Sequence, residues 1–196
     1  MKETFGGWHK RIADGLMNIY PILDAHWSYD YGVVWKGMEA LYAATGNEAY
    51  FNYIKHGVDS FLNADGSGIR GYDRAEYNLD YLNNGKTLLY LWRQTGEAKY
   101  RAAAELLLEQ VYSQPRTPEG GFWHKKIYEN QMWLDGLYMC APFYAQAARD
   151  FGHPEWTDDV VRQFTLIREK TMHRPTGLSL HAWDSARVQP WADPET

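Results

Sequence analysis

Three aspartates recur in register along this chain of 196 residues. Asp30 lies 16 residues before Gly46, Asp80 lies 16 before Gly96, and Asp135 lies 17 before Gly152. Carboxyl groups gathered at one end of an assembly can donate and accept protons, the simplest apparatus for general acid–base chemistry. Aspartate also suits a helix start for a plainer reason: it accepts from free backbone N–H groups and favours the positive end of the helix dipole. Spacing alone leaves both uses open. Asp135 stands among Met132, Trp133, Leu134 and Tyr138, which predicts a sheltered carboxyl, and Gly136 beside it leaves room for a substrate to approach. Asp80, near a helix start, is expected to feel the dipole.

The histidines are less telling. His124 follows Phe122-Trp123 and precedes Lys125-Lys126, where a surface-loop histidine is the ordinary reading. His181 and Asp184 are close enough in sequence to pair, either orienting an imidazole or tying a loop. No His-x-x-His or Cys-x-x-Cys spacing occurs, so no metal site is expected. Asn83-Asn84-Gly85-Lys86-Thr87 contains a Gly-Lys-Thr, but no phosphate-loop glycine lies upstream and no strand precedes it. A nucleotide site is therefore set aside, Lys86 is read as a helix residue, and no cofactor is expected.

Helices must position these groups. Val33, Val34, Met38, Leu41 and Tyr42 recur at helical spacing, as do Leu88, Leu89, Leu91 and Trp92, then Ala102, Leu106 and Leu107. Leu41-Tyr-Ala-Ala-Thr-Gly46 is echoed by Leu91-Trp-Arg-Gln-Thr-Gly96, with a looser third copy at Ala147-Ala-Arg-Asp-Phe-Gly152. Each glycine predicts a left-handed helix end followed at once by a second helix. Glycines 46, 96 and 152 mark a repeat of about fifty residues, the pattern of stacked helical hairpins. Roughly three hairpins and a leading helix fit the chain. Leu178 to Trp183 is the one short strand candidate.

The composition fits a folded helical protein, with 45% hydrophobic residues, 16% aromatic residues, nine Trp and fifteen Tyr. Flat aromatic faces suit sugar clefts as well as cores. A net charge of −5 with no run of Lys or Arg argues against nucleic-acid or anionic-membrane partners. The single cysteine, Cys140, excludes a disulfide framework and is expected to be buried. Met1 to Arg11 has no apolar signal core, and no stretch is apolar enough to span a bilayer. A soluble, cytoplasmic protein is expected.

Several motifs in order bear a resemblance to a known family. Glu76-Tyr-Asn-Leu-Asp-Tyr-Leu-Asn-Asn-Gly85, Gly120-Gly-Phe-Trp-His-Lys-Lys-Ile-Tyr128, Gln131-Met-Trp-Leu-Asp-Gly-Leu-Tyr-Met139, His181-Ala-Trp-Asp184 and Trp191-Ala-Asp-Pro194 resemble glycoside hydrolase family 105. The match runs from Tyr29-Asp-Tyr-Gly-Val33 onward. It implies an all-α (α/α)6 toroid and action on unsaturated galacturonyl-rhamnose, without a cofactor. By motif it implies Asp135 as catalytic acid/base and Asp80 as its assistant in positioning substrate or water. His124, Trp133 and His181 would line the sugar pocket, with Tyr31 beside them. The family's pattern continues past residue 196 with a Gly-Arg and a further Trp. Residues 1–196 are thus expected to form a single domain, the N-terminal part of the barrel, whose open ring leaves apolar faces free for self-association.

The chemistry implied suits one carboxyl. The substrate is an enol ether with a C4=C5 double bond. Protonation at C4 gives an oxocarbenium ion at C5, water adds there, and the resulting hemiketal opens and releases the neighbouring sugar. A single acid donates the first proton and takes one back from water, unlike the paired carboxyls that flank an ordinary glycosidic bond. An unsaturated glucuronyl hydrolase, or a non-catalytic glycan-binding or scaffolding fragment, remain the other readings. A sugar epimerase fits less well, since the histidines it needs are not at the corresponding helix ends.

Overall fold

The computed structural model describes residues 7–192. Asp193 and Pro194 of the last motif, the first six residues and the chain end lie outside them. The leading helix α1 spans Trp8–Ile19. Three helical hairpins follow: α2 (Tyr29–Thr45) with α3 (Glu48–Asp59), α4 (Gly85–Thr95) with α5 (Ala98–Ser113), and α6 (Gly136–Phe151) with α7 (Trp156–Thr171). A 3-10 turn at Leu79–Asn84 runs straight into α4, so the second hairpin begins where the aspartate register places it.

The repeat has a physical basis at the helix ends. Gly46, Gly96 and Gly152 all take left-handed φ, at 67°, 72° and 78°. In the first two copies the preceding threonine does double duty. Thr45 donates to Leu41 O and accepts from Asn47 N, and Thr95 does the same with Leu91 O and Glu97 N. In the third copy, where Phe151 replaces threonine, His153 N returns to Ala148 O instead.

The hairpins pack in two layers. α4 contacts both α2 and α6, while α3, α5 and α7 each lie mainly against their own partner. This is the inner and outer helix arrangement of an (α/α)6 toroid, present here as consecutive hairpins. Between the layers, Trp27, Trp35, Tyr50, Phe61, Leu88, Leu91, Tyr100, Leu107 and Phe143 are fully buried. Close approach of the inner helices depends on small residues. A Cβ on Gly32 of α2 would sit 2.3 Å from Asn84 Oδ1 and 2.4 Å from Asn83 Oδ1, and one on Gly85 would meet the Phe143 ring at 2.4 Å.

Four short strands serve the loops rather than the core: β1 (Gln131–Trp133), β2 (Met172–His173), β3 (Leu178–Ser179) and β4 (Ala182–Asp184). β1 pairs antiparallel with β4, and β2 with β3. Cys140 is buried on α6 beside a cavity of about 20 Å³ lined by Leu79, Phe122, Met132 and Gly136, and burial pushes its thiol up to about 12. Apolar side chains lie open at both ends of the hairpin series: Trp8, Ile12 and Ile19 on α1, and Val161 and Phe164 on α7 with Leu178 and Val188 beyond it. No helix among the described residues is long and apolar enough to cross a membrane.

Candidate active site

Two loops converge where α6 begins. The first carries Asp80. Tyr77 turns the chain with a left-handed φ of 47°, and the Asn78 side chain then caps the 3-10 turn by accepting from Asp80 N. Two buried glutamines at the end of α5 hold this turn down: Gln110 in its last turn donates to Asn78 O, and Gln114 just past it donates to both Tyr77 O and Trp123 O. The second loop carries His124, whose carbonyl accepts from Leu79 N and whose own N–H donates to Gln131 O. Asp80, His124 and β1 are therefore tied together by backbone bonds before any side chain is considered.

β1 delivers Trp133 and then Asp135 to the N-terminus of α6. Asp135 holds the cap position, yet its side chain makes no capping bond. Asp80 is likewise relieved of capping, since Asn78 does it. Neither carboxyl is therefore spent on capping a helix start. One atom each from Asp80, His124 and Asp135 lie within 4.8 Å of one another. Such a trio could grip a cation in geometric terms, but Lys125 Nζ already stands 2.8 Å from Asp80 Oδ2. That ion pair, not the weak dipole of a short 3-10 turn, is the main charge partner of Asp80.

His124 is only 2% exposed, with Nε2 3.4 Å from Asp80 Oδ1 and Nδ1 without a partner. Burial drives its pKa below the ordinary 6.5, against the opposing pull of the Asp80 and Asp135 charges. The imidazole is neutral at pH 7. Its ring stacks on Trp133 at 4.8 Å and 3°, and Tyr128 stacks on the same indole at 4.7 Å. Asp135 is 39% exposed, but its Oδ1 is buried with no hydrogen-bond donor and lies 3.6 Å from His181 Nε2. His181 arrives through the β1–β4 pairing, where Leu134 N donates to His181 O, and its exposed ring meets the Trp133 edge at 5.7 Å.

Asp80, His124, Trp133, Asp135 and His181 are thus brought to one place. Tyr31 is not brought into contact with the trio: in the first turn of α2 its ring neighbours are His26, Trp35 and Phe61. Asp30 pairs with His26 at 3.0 Å. Two sequence expectations need correction. His181 does not pair with Asp184, which is buried and accepts from Ala186 N, Val188 N and Gln189 N to organise its own loop. Nor does Gly136 leave space for substrate, because a Cβ there would lie 3.0 Å from His124 Nδ1 and 3.3 Å from Leu79. Its small size admits the histidine ring. Lys125 and Tyr128 join the group as well, and both stand in the motif that carries His124.

Residues 8–196 match the family described as Glycosyl Hydrolase Family 88. The chain is 30% identical over 169 residues to the unsaturated rhamnogalacturonyl hydrolase YesR of Bacillus subtilis (strain 168), covering 83% of this chain and 47% of that protein. A family 105 glycoside hydrolase of C. acetobutylicum ATCC 824 superposes with a TM-score of 0.92 at 42% identity, over 96% of this chain and 52% of that one. A possible family 105 member from Klebsiella pneumoniae subsp. pneumoniae MGH 78578 gives 0.71 at 26% identity, over 81% and 41%. The chain spans about half the length of the first two relatives, 47% and 52% respectively.

Proposed function

Because the chain belongs to Glycosyl Hydrolase Family 88, we propose that it removes unsaturated galacturonic acid from rhamnogalacturonan fragments by protonating and hydrating the C4=C5 enol ether. The observation that carries this reading is the Asp135 carboxyl, released from helix capping, partly open to solvent and facing His181 beside Asp80 and His124. Asp135 donates a proton to C4 and then accepts one from the water that attacks C5, which restores the acid in a single cycle. Asp80, held by Lys125, orients that water or a substrate hydroxyl. Trp133 and Tyr128 present stacked aromatic faces for a sugar ring, with neutral His124 and exposed His181 as hydrogen-bonding groups at its edge. The unsaturated rhamnogalacturonyl hydrolase activity for which the Bacillus relative is named supports the substrate class.

The chain is further read as a cytoplasmic protein and as one half of a toroid that self-associates through the apolar faces of α1 and α7. The test of function follows ultraviolet absorbance of the enol ether during incubation with unsaturated galacturonyl-rhamnose. Loss of absorbance with stoichiometric release of rhamnose is the expected result. Persistence of the band with both galacturonyl and glucuronyl substrates would remove the catalytic reading and leave a glycan-binding module.

A further inference from the structure

Next to the Asp80 turn lies a polar network, centred on buried Asn83 and Lys86 and closed by half-exposed Tyr138, that the proposed chemistry does not use. Pro142 sits inside α6 and has no N–H to give, so the carbonyl four residues back, Tyr138 O, loses its helical partner. Asn83 Nδ2 takes that place at 3.3 Å. The other end of the same amide, Asn83 Oδ1, accepts from Lys86 Nζ at 2.7 Å. Lys86 Nζ also reaches Tyr138 Oη at 3.2 Å and stands 4.3 Å from the centre of the Tyr138 ring. Asn83 is fully buried and Lys86 is 3% exposed. Gly32 of α2 seals the network from the other side, since any Cβ there would strike the Asn83 and Asn84 side-chain oxygens.

The position of this network is its significance. Asn83 belongs to the 3-10 turn that carries Asp80, and Tyr138 lies in the first turn of α6, three residues after Asp135. From this the geometry points to Lys86 as a positioning residue: through Asn83 and Tyr138 its ammonium group fixes the start of α6 against the 3-10 turn, and so sets the spacing of Asp135 from Asp80. The inference rests on the reading of these two aspartates as the working pair.

The charge of Lys86 is part of the lock. An ammonium group donates strongly to Asn83 and is attracted to the tyrosine face, and the neutral amine keeps little of either interaction. Burial lowers the Lys86 pKa to about 8, with Lys36 of α2 lowering it further and Glu39 opposing. The groups facing it are thus Lys36 and Glu39 from α2, Asn83 from the 3-10 turn and Tyr138 from α6. Rising pH releases the lock as the ammonium loses its proton near pH 8.

The experiment compares wild type, Lys86→Met and Tyr138→Phe by turnover and by carbon NMR of the aspartate carboxyls. Lys86→Met is expected to lower kcat on the order of 10- to 100-fold with little change in KM, as for a misplaced catalytic group. Wild-type kcat should decline as pH rises through about 8, and this decline should be absent from Lys86→Met. In the NMR arm the Asp135 carboxyl resonance should shift in Lys86→Met while that of Asp30 stays put. Wild-type kcat in Lys86→Met, or an alkaline decline that survives in it, overturns the inference. Should the wild type itself lack turnover, the functional reading fails, and the Asp135 resonance alone decides the positioning: an unmoved signal refutes it. If Lys86→Met does not fold, Tyr138→Phe, which keeps the ring and removes the hydroxyl acceptor, is judged by the same Asp135 signal.

Discussion

Asp30 and Asp135 occupy nearly the same place in the first and third hairpins, and their surroundings share almost nothing. Asp30 stands in the first turn of α2 with a single exposed partner, His26. The stretch leading into α2 from α1 runs only from Tyr20 to Ser28. The connection into α6, from Gln114 to Asp135, is more than twice as long, and it brings His124, Lys125, Tyr128 and β1 with Trp133. Asp80, in the middle hairpin, gains its setting from that same connection. The helical frame therefore supplies an acidic position in every repeat, and the loop decides what surrounds it. This division of labour is expected of a repeat scaffold whose connections carry function.

The contrast can be broken by substitution. Asp135→Asn keeps the shape of the side chain and removes the proton, so turnover in the enol-ether assay should drop by on the order of 10²–10⁴. Near-normal turnover in that variant would return Asp135 to the rank of Asp30. Trp133→Ala removes the wall on which His124 and Tyr128 stack. Its expected effect is a rise in KM on the order of tenfold, equivalent to roughly 1.4 kcal/mol of binding, and an unchanged KM would show that the indole does not meet the sugar.

Acid provides a sharper probe of the loop. The folded state holds the His124 pKa below 6.5, chiefly by burial, so the unfolded chain takes up a proton first as pH falls. Stability is then complete above pH 6.5 and declines below it as the folded value is approached. Thermal unfolding followed across this range should show the decline in wild type and a flatter curve in His124→Gln. The smallest effect is reserved for the other side of the comparison. Asp30→Asn should leave turnover unaltered and change stability by less than about 0.5 kcal/mol, as for an exposed pair. A large loss of activity there would mean that the first hairpin reaches the substrate after all.

The hairpins were legible because their punctuation is local. A threonine and a glycine settle each of the first two helix ends within a few residues, and the hydrogen bonds of Thr45 and Thr95 show how. The aspartate register followed from the same repeat. What joins Asp80 to Asp135 could not be read that way, because it depends on contacts distant in sequence: Leu79 with His124, Leu134 with His181, Asn83 with Tyr138. His181 and Asp184 illustrate the limit well. Their spacing suits a mutual pair, but the strand pairing of β4 with β1 sends one to Asp135 and the other into its own loop. Lys86 looked like any helical lysine, since burial is a property of its neighbours and not of its own segment.

Cys140 gives the molecule a built-in clock. Its thiol lies on α6 beside the small cavity that Gly136 also lines, and burial favours the protonated, unreactive form. An alkylating or disulfide reagent therefore finds no target while the Leu79 turn, β1 and α7 stay packed around this part of α6. The rate at which the thiol is consumed counts the moments when that packing parts, and a ligand that binds the folded state should slow the count.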